Sequence, residues 1–247
     1  MAKLSPMMEQ YFRIKEQHKD HILFYRLGDF YEMFYDDALL VSKELELTLT
    51  GRDCGQEERA PMCGVPYHSC EGYIARLIKK GYKVAICEQM EDPRLAKGVV
   101  KREVIRVVTP GTLVETSMLD EGQNNFIASI YTEGDQYGLA VADISTGEIH
   151  AAQFTDPDDS TLKNELSRFA PNEIVFHPAF LDKKGMAEFI RNRLSCCVQC
   201  LREEQYDFSG AQSRVLSQFG KSNLAELSLD QRPLSVQAIG GLLDYLT

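Results

Sequence analysis

The apolar positions of the first half of the chain recur with two periods. Met7, Tyr11 and Ile14, joined by Met8 and Phe12, fall on one helical stripe, and Ser5-Pro6 ahead of them supplies an N-cap and a proline for the first turn. Residues 22–27 are a short apolar run that predicts a buried strand. Asp36 and Asp37 favour a helix start through the dipole, and Ala38, Val41 and Leu45 continue that helix on one face. Residues 47–50 alternate like a strand and end at Gly51-Arg52. A polar loop spans 53–59, and Pro61, Gly64 and Pro66 make 60–68 a shaped loop. Ser69 is placed to cap a helix carrying Ile74, Leu77 and Ile78, closed by Gly81. Residues 83–88, and the alternating Val104, Arg106 and Val108, predict two more strands, the second stopped by Thr109-Pro110-Gly111. Residues 1–112 thus predict one mixed α/β domain.

Residues 113–125 are polar with weak periodicity and predict a linker. Beyond it, 126–130, 139–144 and 149–152 read as strands with turns at Gly134-Asp135 and Thr146-Gly147, an antiparallel meander. The pattern then alternates: a helix carrying Leu162, Leu166 and Phe169, a strand at 173–177, a helix carrying Met186, Phe189 and Ile190, a strand at 196–201, and a helix carrying Val215, Leu216 and Phe219. Such alternation implies parallel strands with helices on the sheet faces. Residues 126–247 thus predict a second α/β domain. Ile239, Leu242, Leu243 and Leu246 keep helical spacing to the last residues with no stop signal, so the chain is expected to be a fragment of a longer one.

Length and composition fit this picture without deciding function. The 247 residues are 44% hydrophobic and 26% charged, as in soluble globular proteins. No apolar run reaches the roughly 18 residues of a membrane span. The N-terminus lacks an apolar signal core, so a cytoplasmic location with no membrane contact is expected. Seven cysteines with one C-x-x-C, Cys197 and Cys200, offer no second pair to complete a zinc site; reduced core thiols are expected, and no metal. The net charge of −10 opposes whole-molecule attraction to nucleic acid, but the charge is uneven. Residues 1–115 hold 17 Lys and Arg against 18 Asp and Glu, whereas 116–247 hold 10 against 19. Any DNA-facing surface therefore belongs to the first half.

The stretch at 28–34, Gly-Asp-Phe-Tyr-Glu-Met-Phe, carries the clearest candidate chemistry. In an extended chain Phe30 and Glu32 project to one side, a flat apolar wedge beside a hydrogen-bonding carboxyl group. That pair suits a base in a distorted duplex. It equally suits a half-buried strand with Phe30 in the core. Glu32 beside DNA is reasonable only as acceptor of a base N–H, or protonated and donating. Arg52, Arg94, Lys97, Lys101 and Arg102 stand in loops or at element ends, where they suit phosphate contacts or an ordinary solvated surface. No phosphate-binding loop or hydrolase motif occurs. Asp143, before a Ser-Thr-Gly turn, is the best catalytic candidate, for a metal-dependent ribonuclease-H-like nuclease; Glu148 and Asp207 are its only loose partners. The alternative is that Asp143 braces its own turn.

Four stretches, 28–38, 61–68, 84–89 and 106–112, resemble in order those of the MutS family of bacterial DNA mismatch-repair proteins, and 141–147 resembles the start of that family's second domain. The resemblance implies a mismatch-recognition domain followed by a ribonuclease-H-like connector that lacks nuclease activity. Phe30 would stack on the mispaired base, Glu32 would hydrogen-bond it, and Leu27 would make an apolar contact beside it. Arg52 and Arg102, and by their loop setting Lys97, would lie near the DNA backbone. The partners implied are mismatched double-stranded DNA and, through the connector, the MutL protein. The parent would be a dimeric DNA-dependent ATPase whose ATP and magnesium bind beyond this fragment, which itself would be a monomer without cofactor or catalysis. A connector-based interaction module with negligible DNA binding is the remaining alternative.

Overall fold

Ser5 begins the first element as its residue type predicts. Its hydroxyl accepts the Met8 N–H at 3.4 Å, and Pro6 opens α1 (Pro6–Gln17). The computed structural model describes residues 4–55, 58–114, 119 and 122–247. Among these, residues up to Pro110 form one compact unit and those from Gly111 onward a second. The division falls just before the expected domain end at 112, because Gly111 packs with the second unit: its N–H donates to Glu173 Oε2 at 3.1 Å, and Leu113 is buried. Residues 115–118 and 120–121 of the expected linker lie outside the described residues. No helix among the described residues is long and apolar enough to cross a membrane.

The first unit contains β1 (Ile22–Leu27), β2 (Phe30–Phe34), α2 (Tyr35–Leu45), β3 (Thr50–Arg52), β4 (Ala60–Pro66), α3 (Cys70–Lys79), β5 (Val84–Gln89) and β6 (Arg102–Val108). The sheet order is β3-β4-β2-β1-β5-β6, antiparallel throughout except for the parallel pair β1 and β5. Two expectations need correction. The strand expected at 47–50 forms later and shorter, at Thr50–Arg52. Residues 60–66, expected as a loop, are a full strand between β3 and β2. Its prolines are tolerated because the ladder with β2 runs only from Phe30↔Pro66 to Phe34↔Met62, so Pro66 stands at one end and Pro61 just beyond the other. Ser69 also does not cap α3; its hydroxyl turns back to the Pro66 carbonyl at 3.4 Å.

Alternation along these strands sorts the core. Leu23 and Tyr25, Phe34, Ala60, and Ala85 and Cys87 share one face, covered by Met8 and Tyr11 of α1. Helices α2 and α3 pack the other. Helix α1 covers only part of its face, so burial on β2 falls from Phe34, fully buried, to Phe30, 46% exposed.

His21, just before β1, is a half-buried side chain whose Nδ1 is buried. Its Nδ1 has no hydrogen-bond partner among the described residues. Burial, reinforced by His18 and Lys83, pushes its pKa down to about 4 from 6.5. The native state therefore resists protonation that the unfolded chain accepts, so this contribution to stability is complete above pH 6.5 and is lost as pH falls from 6.5 toward 4. Thermal melts across that range should show a smaller acid-induced drop for His21→Gln than for the native chain. Parallel drops would mean that His21 does not carry the effect.

The second unit contains β7 (Phe126–Glu133), β8 (Gln136–Asp143), β9 (Glu148–Thr155), α4 (Ser160–Phe169), β10 (Glu173–Phe176), α5 (Lys184–Phe189), β11 (Cys197–Cys200), α6 (Phe208–Phe219) and α7 (Pro233–Leu246). The meander and the alternating elements form one sheet, β11-β10-β7-β8-β9, with β7, β10 and β11 parallel and β8 reversed. That order and those senses are the ribonuclease-H-like arrangement. Ile127 and Tyr131 face α6 and α7, while Ala128 and Ile130 face α4 and α5. On β8 the residues toward α7 are Gly138, Ala140 and Ala142, small enough for the helix to lie close against the strand.

Candidate nucleic-acid interface

The uncovered end of the first sheet is built around the β1–β2 hairpin. Leu27 and Phe30 are its last pair, so Gly28 and Asp29 form a two-residue connection, and Gly28 takes φ +59, which glycine adopts without strain. Three of the connection's backbone groups are tied down. The Gly28 N–H donates to Gln89 Oε1 at 3.2 Å, the Gly28 carbonyl accepts from Arg26 Nε at 2.5 Å, and the Asp29 carbonyl accepts from the Tyr67 N–H at 3.0 Å. Beyond this clamp Phe30 stands 46% exposed, while Tyr31, Met33 and Phe34 behind it are buried.

Each tie has support behind it. Gln89 Oε1 is also held by Arg102 Nη2 at 3.2 Å. Arg26 stacks on the Tyr67 ring, 3.6 Å from its centroid, and pairs with Glu88 at 3.1 Å. Glu88 also accepts from the Tyr31 hydroxyl. Burial first, and then this bond to Glu88, raise the Tyr31 pKa, so the hydroxyl stays a donor.

Phe30 and Glu32 project to the same face, as their spacing predicts. Gly64 lies opposite Glu32 on β4, where a Cβ would come within 3.5 Å of Glu32 Cγ and 3.8 Å of Phe30 Cδ1. Arg52, on β3, reaches across β4 to pair with Glu32. Leu27 is half-buried at the margin of the core beside Phe30. Lys97 is exposed on the loop that leaves β5, whose parallel pairing with β1 places it at the hairpin's end of the sheet. The structure thus gathers Leu27, Phe30, Glu32 and Arg52 on one patch.

Arg102 is the correction. It was expected near phosphate but is 7% exposed. Its guanidinium donates to the carbonyls of Arg26 at 2.7 Å and Val100 at 2.9 Å, and to Gln10 Oε1 at 3.2 Å as well as to Gln89. It is an internal strut that fixes the hairpin from below. Gln89, Gly64, Arg26 and Tyr67 were not among the candidate site residues of the sequence reading. The one signal for them was that a two-residue connection leaves polar groups in need of partners.

In the second unit Asp143 is buried and turned inward. Its Oδ1 accepts from the Ser145 N–H at 2.9 Å and hydroxyl at 2.6 Å, and its Oδ2 from the Asn125 N–H at 3.1 Å and Asn124 Nδ2 at 3.0 Å. Burial raises its pKa, but these donors together outweigh burial and hold it below the usual carboxylate range. Asp143 braces its own turn and the approach to β7. Glu148 pairs with His150 at 2.7 Å, and Asp207 caps α6 through the Gly210 N–H at 3.0 Å. No group of three acidic, histidine or cysteine side chains among the described residues is placed to hold a metal. Cys197 and Cys200, three apart on β11, point to opposite sheet faces.

Comparison with known proteins agrees with this architecture. The family model of MutS domain I matches residues 5–117, and that of MutS domain II matches residues 125–247. The chain is 49% identical over 247 residues to the DNA mismatch repair protein MutS of Ruminiclostridium cellulolyticum, and 50% identical over 246 residues to that of Lachnoclostridium phytofermentans. Each alignment covers 100% of this chain, but the chain spans only 28% and 26% of those relatives. Among solved structures, T. thermophilus RuvC in complex with a Holliday junction substrate covers 49% of this chain and 91% of its own at a TM-score of 0.37 and 12% identity, a likeness too distant to bear on function. With matched models that follow one another along nearly the whole chain, the chain belongs to the MutS family, whose domains I and II it carries in order.

Proposed function

We propose that the first domain reads mismatched DNA, with Phe30 stacking on the mispaired base and Glu32 accepting a hydrogen bond from it. The observation that carries this reading is the exposure of Phe30 on a clamped hairpin, in a run whose neighbouring aromatics are packed. A mismatched step is already weakened, so an inserted ring pays less to unstack it than at a paired step. Leu27 adds apolar contact beside the ring, and Lys97 meets the backbone. The second domain relays the binding event to the rest of the native protein and offers a docking face to a MutL partner. ATP and magnesium chemistry and the dimer contacts belong to other parts of that protein. This last group of assignments rests on family membership alone.

The test is binding of the native protein that carries this chain to labelled duplexes, with and without one G·T mismatch, at low salt. A tighter complex with the mismatch is expected. Glu32→Gln, which keeps an acceptor oxygen, should lose less preference than Glu32→Ala. Equal, large losses from both would assign Glu32 to charge or folding instead of base contact. Absence of any preference in the native protein would leave the two domains as an interaction module.

A further inference from the structure

Arg52 and Glu32 are separated by a whole strand. Glu32 lies opposite Gly64, and Arg52 opposite Ala60, on the two sides of β4. Their side chains still meet, Arg52 Nη1 on Glu32 Oε2, above a strand that has no Cβ at Gly64 to come between them. The pair is lopsided: the Glu32 side chain is 13% exposed and that of Arg52 36%. The cation therefore covers the carboxylate on its outer side. Among the described residues Arg52 hydrogen-bonds Glu32 Oε2 and Oε1 receives no hydrogen bond, so one oxygen is held and the other keeps its acceptor capacity.

From this geometry, and resting on the reading that Glu32 meets a base, we propose that Arg52 acts on DNA through Glu32. It is a positioning residue and counter-ion, and not an independent phosphate anchor. A bare carboxylate beside Phe30 would be repelled by the phosphates of any duplex inserted there. Paired with Arg52, the same group presents no net charge. It also keeps one fixed direction for Oε1, because the charge-assisted bond at Oε2 orients the carboxylate plane. Specificity at the mispaired base then depends on a residue two strands away that need not touch DNA.

A double-mutant cycle in the native protein separates the two roles. Arg52→Gln, Glu32→Gln and the double variant are titrated with G·T and matched duplexes at several salt concentrations. Arg52→Gln is expected to weaken mismatch binding roughly tenfold when Glu32 is present, the size a charge-assisted pair carries. In the Glu32→Gln background, where no carboxylate remains to neutralise, the loss should shrink to about twofold or less, with an unchanged dependence of log K on log salt. The same fold loss in both backgrounds overturns the proposal, whether it comes from a lost phosphate contact, marked by a salt slope shallower by about one, or from misfolding. No loss in either background overturns it as well. Phe30→Ala, run in parallel, reports on the underlying reading separately: retained mismatch preference there fails the base-contact assignment without reference to the Arg52 cycle.

Discussion

Replacing Phe30 with alanine is expected to erase the preference for a G·T duplex while leaving the thermal midpoint of the first domain nearly unchanged. The separation of the two effects follows from exposure. Nearly half of Phe30 faces solvent, so truncation removes little buried contact in the free protein, and a surface change of this kind stays within about 0.5–1 kcal/mol. Stacking on a base is worth roughly 1–3 kcal/mol, so losing it costs about ten- to a hundredfold in affinity where the ring inserts. On a matched duplex, where insertion does not repay its cost, the variant should bind about as the native protein does. A large drop in the melting temperature would place Phe30 in the core. Retained discrimination would place the reading chemistry elsewhere.

The largest stability effect is expected at Gly138, in the other domain. An alanine there would set its Cβ 2.0 Å from the Leu234 carbonyl oxygen and 2.3 Å from the carbonyl carbon, in the first turn of α7. The obstacle is backbone, so no rotamer relieves it. Helix α7 must lift from β8, and it is itself wedged, with Gly240 and Gly241 lying against Ala211 and Tyr206. Overpacking costs about 1–3 kcal/mol when side chains can yield and more when they cannot, so Gly138→Ala should cost about 3 kcal/mol or more. Urea denaturation followed by circular dichroism reads this directly. An unchanged midpoint would mean that α7 sits farther from β8 than described.

Local signals carried much of this fold. The Ser5-Pro6 start of α1, the meander from β7 to β9 and the parallel strands after it follow from caps, turns and apolar periods, which need only a few neighbouring residues. What stayed hidden depended on partners far along the chain. Pro61 and Pro66 look like loop residues until the short ladder of β2 shows where their missing N–H groups fall. Arg102 looks like a surface cation because nothing local says that three carbonyl and amide oxygens surround it, from Gln10, Arg26 and Val100, besides Gln89. Phe30 could not be told from its buried neighbours by composition; its exposure is decided by where α1 stops covering the sheet. Arg52 and Glu32 were each singled out, but their pairing across β4 has no signature in the spacing.

The tied hairpin has a mechanical meaning. A soft probe pressed against an elastic rod bends itself and reports its own weakness. With the Gly28 N–H, the Gly28 carbonyl and the Asp29 carbonyl all anchored, the loop beneath Phe30 has little give of its own. Pressing that ring into a duplex therefore puts the strain on the DNA, and the resistance felt is set by the compliance of the base step in contact. Gln89→Ala, which cuts one of the three anchors, would blur that measurement by letting the gauge deform along with its sample.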